Sequence, residues 1–515
     1  MATFDISIAL SLLSLSLICL LFRSKITNPL TCWPLIRHAV PFIMLTSSGA
    51  HDYMTYLLAQ SGHTTQLKGP SFTNLRHIIT SDPENISHIL SSNSSNYNKG
   101  PGFKKKFEIW GDGILAADSD SWKFQRRLNH SLFRGTDFLR MVTATARRKL
   151  EDGVFPILDR AADLGHQVDL RDLFQRFTIE ITCKFLLGID LNSLEINLPE
   201  VPFAKAFDEY KEVIYSRCIR PEGFWRLQKW LKIGVEGKAG KASEIINDFI
   251  YQQIASKRES LRKGPQEDDV SLDMISRFMA VEDEASQCQA DSETTSMPIS
   301  DMFLRDSVVN VLSAGRDPTS AALTWFFLLV STHEPVERKI REELKAALGI
   351  KEGEKWQFPS FQDIDKLVYL HAAICETLRL YPPIPINYRE AIRPDTLPSG
   401  QHVEKNATIL IPFYAQGRTE SLWGADCLEF KPERWISEKG EIVHMGCGKF
   451  TAFSAGPRSC LGKDLALMEL KLAVTAIMWS YHFEVVEGHS VVPANSIGLY
   501  PKHGLKIRVI KNSGA

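Results

Sequence analysis

Ten residues near the C-terminus, Phe453-Ser-Ala-Gly-Pro-Arg-Ser-Cys460-Leu-Gly462, restrict what this chain can fold into more than any other stretch. A thiolate that binds iron needs a fixed loop, backbone N–H groups aimed at its sulfur and a positive charge nearby. Gly456 and Gly462 permit a tight backbone and a close approach to a flat macrocycle, while Pro457 stiffens the path to Arg458, whose guanidinium can pair with a haem propionate. The apolar-rich run from Asp464 to Met478 predicts a helix whose positive N-terminal end faces the sulfur. Burial in a core is the common fate of an isolated cysteine, but this frame predicts that Cys460 ligates haem iron.

The remaining chain must enclose such a group. Its 515 residues, 44% apolar and 23% charged, suffice for one large enzyme domain with an ample core, and a net charge of −1 gives no footprint for nucleic acid. Nine scattered cysteines without a Cys-x-x-Cys pair favour a reducing compartment over a disulfide framework or a zinc site.

Ile6 to Phe22 is an uncharged apolar run followed at once by Arg23 and Lys25. Basic residues on the C-terminal side place the bulk of the protein in the cytosol, and the short run suits the thin endoplasmic reticulum bilayer. The expectation is a single-pass transmembrane anchor over 1–25, a hinge over 26–52 and a catalytic domain over 53–515. Short β-like runs such as Asn74 to Thr80 alternate with helical pieces, and helical periodicity dominates from Thr143 to about Leu261. The fold class predicted is mainly α with a small β-rich subdomain. Lys104 to Lys106 reads as a solvated charge run.

Three further groupings bear on the site. Trp122 and Arg126, four apart after the capping residues Asp118 to Ser121, share a helix face and can both reach a propionate. Glu376 and Arg379 at i, i+3, followed later by Arg434, can form a buried carboxylate closed by two arginines. Ser300 to Val330 is a long helical pattern broken once, at Pro318.

In this order the groupings resemble the cytochromes P450: the Phe-x-x-Gly-x-Arg-x-Cys-x-Gly loop is matched at every fixed position, and the likeness covers most of the chain. The resemblance implies the cytochrome P450 fold, haem b (iron protoporphyrin IX) and electrons from NADPH through a separate cytochrome P450 reductase. It implies cofactor contacts at Trp122, Arg126, Phe453, Arg458, Cys460 and Gly462, and a structural triad of Glu376, Arg379 and Arg434. A basic proximal surface including Arg126, Arg127 and Lys463 would dock the reductase. Phe103, Ile114, Ser313, Ala314, Pro318, Ile384, Ile386 and Ile497 would line a pocket for a hydrophobic small molecule, with the helix from Phe203 to Arg217 as its lid. Asp317 would steer protons. Pro318 stands where the family carries threonine, so Thr319 replaces that hydroxyl only if the helix rewinds.

Asn98 to Phe103, Gly111 to Ile114, Ala314 to Asp317 and Leu380 to Pro383 resemble the plant fatty-acid and alkane hydroxylase branch, which includes a synthase coupling two phenol rings of an alkaloid precursor. Coupling places no oxygen in the product, so Pro318 makes oxidative C–C coupling of a 4'-O-methylnorbelladine-type precursor the leading expectation. Hydroxylation of a long-chain fatty acid or alkane is the alternative. A haem carrier or sensor without catalysis is a third.

Overall fold

The computed structural model describes residues 49–68, 76–263, 273–288, 299–348 and 358–512. The expected anchor and most of the expected hinge lie outside these residues. Among the described residues no helix is long and apolar enough to cross a membrane. The hinge's last residues, 49–52, are a turn and the start of helix α1 (Ala50–Gln60), because Met54 and Leu58 pack against Ile79 and Ala415.

The chain folds as expected, mainly into helices beside a small sheet region. After α1, the helices that frame the site are α2 (Gly100–Lys106), α3 (Ser119–Phe133), α4 (Leu170–Leu187), α5 (Pro202–Ile219), α6 (Asp301–Ser331), α7 (Val368–Leu380) and α8 (Lys463–Ser480). Strands β1 (Thr64–Lys68), β2 (Arg76–Thr80), β3 (Tyr97–Asn98), β4 (Ile386–Ala391) and β5 (Thr408–Pro412) form one sheet in the order β1-β2-β5-β4-β3. Its β2–β5 pair is parallel, with His77 opposite Thr408 and Ile79 opposite Leu410. This sheet forms the wall remote from the helical core.

Helix α6 runs through the middle of that core. Ser300 caps it by accepting from the Phe303 N–H, and buried residues, apolar ones with a minority of polar ones such as Asn310 and Thr324, occupy nearly its whole circumference. Helix α4 packs along it. The close approach depends on Gly315, where a Cβ would meet Thr182 Oγ1 at 3.0 Å. The expected break at Pro318 does not occur: α6 continues through the proline. Hydroxyls support the carbonyls just before it, Thr178 Oγ1 donating to Arg316 O at 2.9 Å and Ser320 Oγ to Asp317 O at 3.0 Å. These bonds add donors to two carbonyls at the turn that holds Pro318, while the carbonyl that loses its N–H donor to the proline is that of Ala314, one turn earlier.

Glu376 sits at a buried node behind the cysteine loop. Its carboxylate accepts Arg379 Nε and Nη2, both at 2.7 Å, Arg434 Nε at 3.3 Å, Trp435 Nε1 at 2.9 Å and the Lys431 N–H at 3.0 Å. Arg379 also donates to the carbonyls of Gly417, Cys427 and Glu429, so helix α7 and the segment leading to Cys460 are tied through one ion cluster. Breaking a buried pair leaves an uncompensated charge. Glu376→Ala is therefore expected to cost about 3–5 kcal/mol of stability and to lower haem content, read from denaturant midpoints and haem absorbance per protein.

Candidate functional site

Helix α6, helix α3, the sheet and the Cys460 loop enclose a cavity of about 660 Å³. The loop is shaped by Gly456, at φ 66°, where a Cβ would meet the Leu90 carbonyl at 1.8 Å, and it is closed by Cys460 N–H donating to Phe453 O at 2.8 Å. Arg126 braces it, donating to Ser459 O at 2.6 Å. Cys460 lines the cavity and is exposed on it. Burial pushes its thiol up, while the Gly462 N–H and the Arg126 charge oppose that push and favour thiolate.

Among the cationic side chains that line this cavity, Lys99, Arg126, Arg389 and Arg458 form one group. Among the described residues Asp118 is the one carboxylate within ion-pair distance of any of them, at 2.7 Å from Arg458 Nη2. Burial and the neighbouring Arg458 push Arg389 down to about 9, and burial with Arg389 and Arg458 lowers Lys99 well below its usual range. Such a cluster asks for anions. The two propionates of haem, with an apolar macrocycle to fill the cavity and a sulfur to ligate iron, fit these residues.

Trp122 lines the same cavity and carries the Arg458 guanidinium over its ring at 4.6 Å. Phe453 and Gly462 border it beside Cys460. Arg126 therefore faces inward and does not belong to the exposed proximal surface on which Arg127 and Lys463 lie. Phe103, Ile114, Ser313, Ala314, Asp317, Pro318, Thr319, Ile384, Ile386 and Ile497 all line the cavity. Glu376, Arg379 and Arg434 come together behind it.

Asp317 is not a free acid. It accepts from Lys211 Nζ of α5 at 2.9 Å, while its neighbour Arg316 grips Asp208 of α5 through two hydrogen bonds of 2.8 and 3.0 Å. Burial opposes ionisation of Asp208, but Arg316 and Lys211 hold its carboxyl well below the usual carboxylate range. Thr319 borders the cavity with Pro318, and its hydroxyl has no partner among the described residues. Continuous α6 thus brings Thr319 to the cavity lining without rewinding.

Sequence reasoning missed Lys99, Arg389, Lys106, Lys211 and Glu469 as cavity residues. Glu469 offered the clearest signal, a lone acid within the apolar run that follows Cys460. The others depend on pairings between distant segments.

The comparisons with known proteins agree with this geometry. The family model described as Cytochrome P450 matches residues 28–507. The chain is 40% identical over 479 residues to alkane hydroxylase MAH1 of Arabidopsis thaliana, covering 93% of each protein. It is 36% identical over 488 residues to noroxomaritidine synthase of Narcissus aff. pseudonarcissus MK-2014, covering 93% of this chain and 91% of that one. The solved haem domain of cytochrome P450DA superposes with a TM-score of 0.73 at 17% identity, covering 92% of this chain and 95% of that one.

Arg389→Leu is expected to weaken haem retention about tenfold or more, the scale of one lost charge-assisted hydrogen bond; Arg127→Leu serves as the exposed control, and haem released to an apo-globin acceptor reads the difference. A second expectation concerns Glu469, pushed up to about 8 by burial alone. The folded state keeps its proton while the unfolded chain releases it above the ordinary value of 4.5, so wild-type stability falls as pH rises from 4.5 to about 8. The stability advantage of Glu469→Gln over wild type should widen across that window in denaturant titrations at successive pH values.

Proposed function

Because the chain belongs to the cytochrome P450 family, a family of haem monooxygenases, we propose that it hydroxylates an elongated, largely aliphatic small molecule. Haem b supplies the chemistry that activates dioxygen with electrons from NADPH. The remaining assignments concern the protein's own groups. Cys460 provides the ligand sulfur, and the cations around Asp118 hold the propionates. Ala314 and Gly315 keep the opposite wall shallow, and the buried lining excludes water.

The observation that carries the reading is the position of Thr319. An unpartnered hydroxyl on the cavity wall next to Pro318 supplies the donor that the proline removes, so oxygen insertion does not lose its proton relay. Asp317 connects that wall to Lys211, which gives protons a charged route toward the lid helix α5. The mostly aliphatic and aromatic lining suits an alkyl chain, and the similarity to an alkane hydroxylase supports the same choice. The partner we propose is a membrane-bound NADPH–cytochrome P450 reductase at the endoplasmic reticulum, reached through the exposed Arg127 and Lys463.

A second reading, oxidative coupling of two phenol rings in an alkaloid precursor, is supported by Pro318 itself and by the similarity to noroxomaritidine synthase. Microsomes holding the protein and a reductase, given NADPH with a long-chain alkane, a fatty acid or a diphenolic amine, separate the two. Hydroxylated aliphatic product is expected; a coupled diphenol with no oxidised aliphatic chain would overturn the proposal. Thr319→Ala is expected to lower product formed per NADPH by about a hundredfold, the low end of the range for loss of one positioned proton donor, with the missing electrons appearing as hydrogen peroxide.

A further inference from the structure

The three consecutive lysines at the end of α2 do not behave alike. Lys104 pairs with Asp112 at 2.8 Å and Lys105 with Glu222 at 3.4 Å, both toward solvent. Lys106 turns the other way. It lines the cavity, stands 5.6 Å from the Tyr388 ring centroid and has no carboxylate within ion-pair distance among the described residues. Reading the three as one solvated run was therefore wrong for the third.

His77 of β2 lines the same end of the cavity, and its Nδ1 is buried without a hydrogen-bond partner. Burial, helped by the Lys106 charge, lowers this ring to about 4, so it is neutral at physiological pH and able to donate one N–H. That Nδ1 has no exposed surface, so a group arriving in the cavity would meet the ring by its other nitrogen, and a Lys106 without a carboxylate partner at the same end is costly unless an anion arrives to satisfy it. The walls between this end and α6 are apolar. Met54, Leu67, Ile79, Ile386 and Leu410 cluster on the sheet side. On the other side Tyr388, Phe103, Phe107 and Trp110 form an unbroken run of ring contacts of 4.1 to 5.3 Å, which ends where Trp110 Nε1 donates to Ser313 Oγ of α6.

We propose that Lys106 and His77 form a binding site for the terminal carboxylate of an amphiphilic substrate whose alkyl chain runs along this lining toward the Cys460 side. The proposal rests on the aliphatic reading above and narrows it, selecting a fatty acid over an alkane. It also disfavours a protonated amine, which would meet the unpaired lysine as a like charge. Recognition at the far end fixes how deep the chain reaches, and hence which carbon is presented for oxidation.

The test is a binding titration of the haem-loaded full chain, following the haem absorbance change with tetradecanoic acid, its methyl ester and tetradecane. Wild type is expected to bind the acid about tenfold tighter than the ester, the scale of one charge-assisted contact. Lys106→Met should bring the acid level with the ester, Lys106→Arg should retain the preference, and Lys105→Met should leave it as in wild type. Equal binding of acid and ester by wild type, or a preference that survives Lys106→Met, would overturn the carboxylate site. If ester and tetradecane bind while the acid gains nothing, the carboxylate site alone falls. If none of the three perturbs the haem spectrum, the aliphatic reading falls and takes the site with it.

Discussion

A carboxylate with no exposure to solvent, Glu376, is the constraint on which the haem side of this protein depends. An isolated buried charge would be prohibitively expensive. Here Arg379 and Arg434 neutralise it, Trp435 and Lys431 occupy its remaining lone pairs, and Arg379 spends its other donors on three backbone carbonyls. The consequence is geometric. Helix α7 and the chain before Cys460 share one anchoring point, and Gln416, bonded to Thr451 and to the Gly448 carbonyl, carries that fixation toward the cysteine loop. A ligand sulfur must be held in place before a cofactor arrives, and this cluster supplies the rigidity behind it.

On the opposite side of the cavity, charge is used differently. Asp317, Arg316, Lys211 and Asp208 form a connected set between α6 and α5, next to the wall where Pro318 and Thr319 lie. Helix α5 is thus fastened to α6 at the turn that holds Asp317. Pro318 lies inside a continuous helix whose turn is braced by hydroxyls of Thr178 and Ser320 on the Arg316 and Asp317 carbonyls, and the same continuity leaves Thr319 among the residues that line the cavity. On the proposed reading, what looks in the sequence like the loss of a hydroxyl is a displacement by one residue, to Thr319.

The sequence made some of this legible and left the rest hidden for physical reasons. Cys460 and its glycines were readable because tight loops around a ligand leave a dense local pattern, and Glu376 with Arg379 because three residues along a helix is a contact distance. The central helix was readable from its apolar length, though the proline misled the expectation of a break. Lys99 and Arg389 could not be read, since the fold brings them together from the segment before α2 and from strand β4. Nor could Lys106, whose neighbours in sequence have ordinary surface partners; only the fold distinguishes the lysine turned inward.

The central claim is that a chain with proline at 318 still inserts oxygen, through a cavity lined by both Thr319 and Cys460. Turnover under isotopically labelled dioxygen tests it most directly, with mass analysis of the oxidised product from a long-chain aliphatic substrate. Incorporation of one labelled oxygen atom per product molecule is the predicted result. Product carrying no label, or oxidation detected solely as carbon–carbon coupling of phenols, would contradict it.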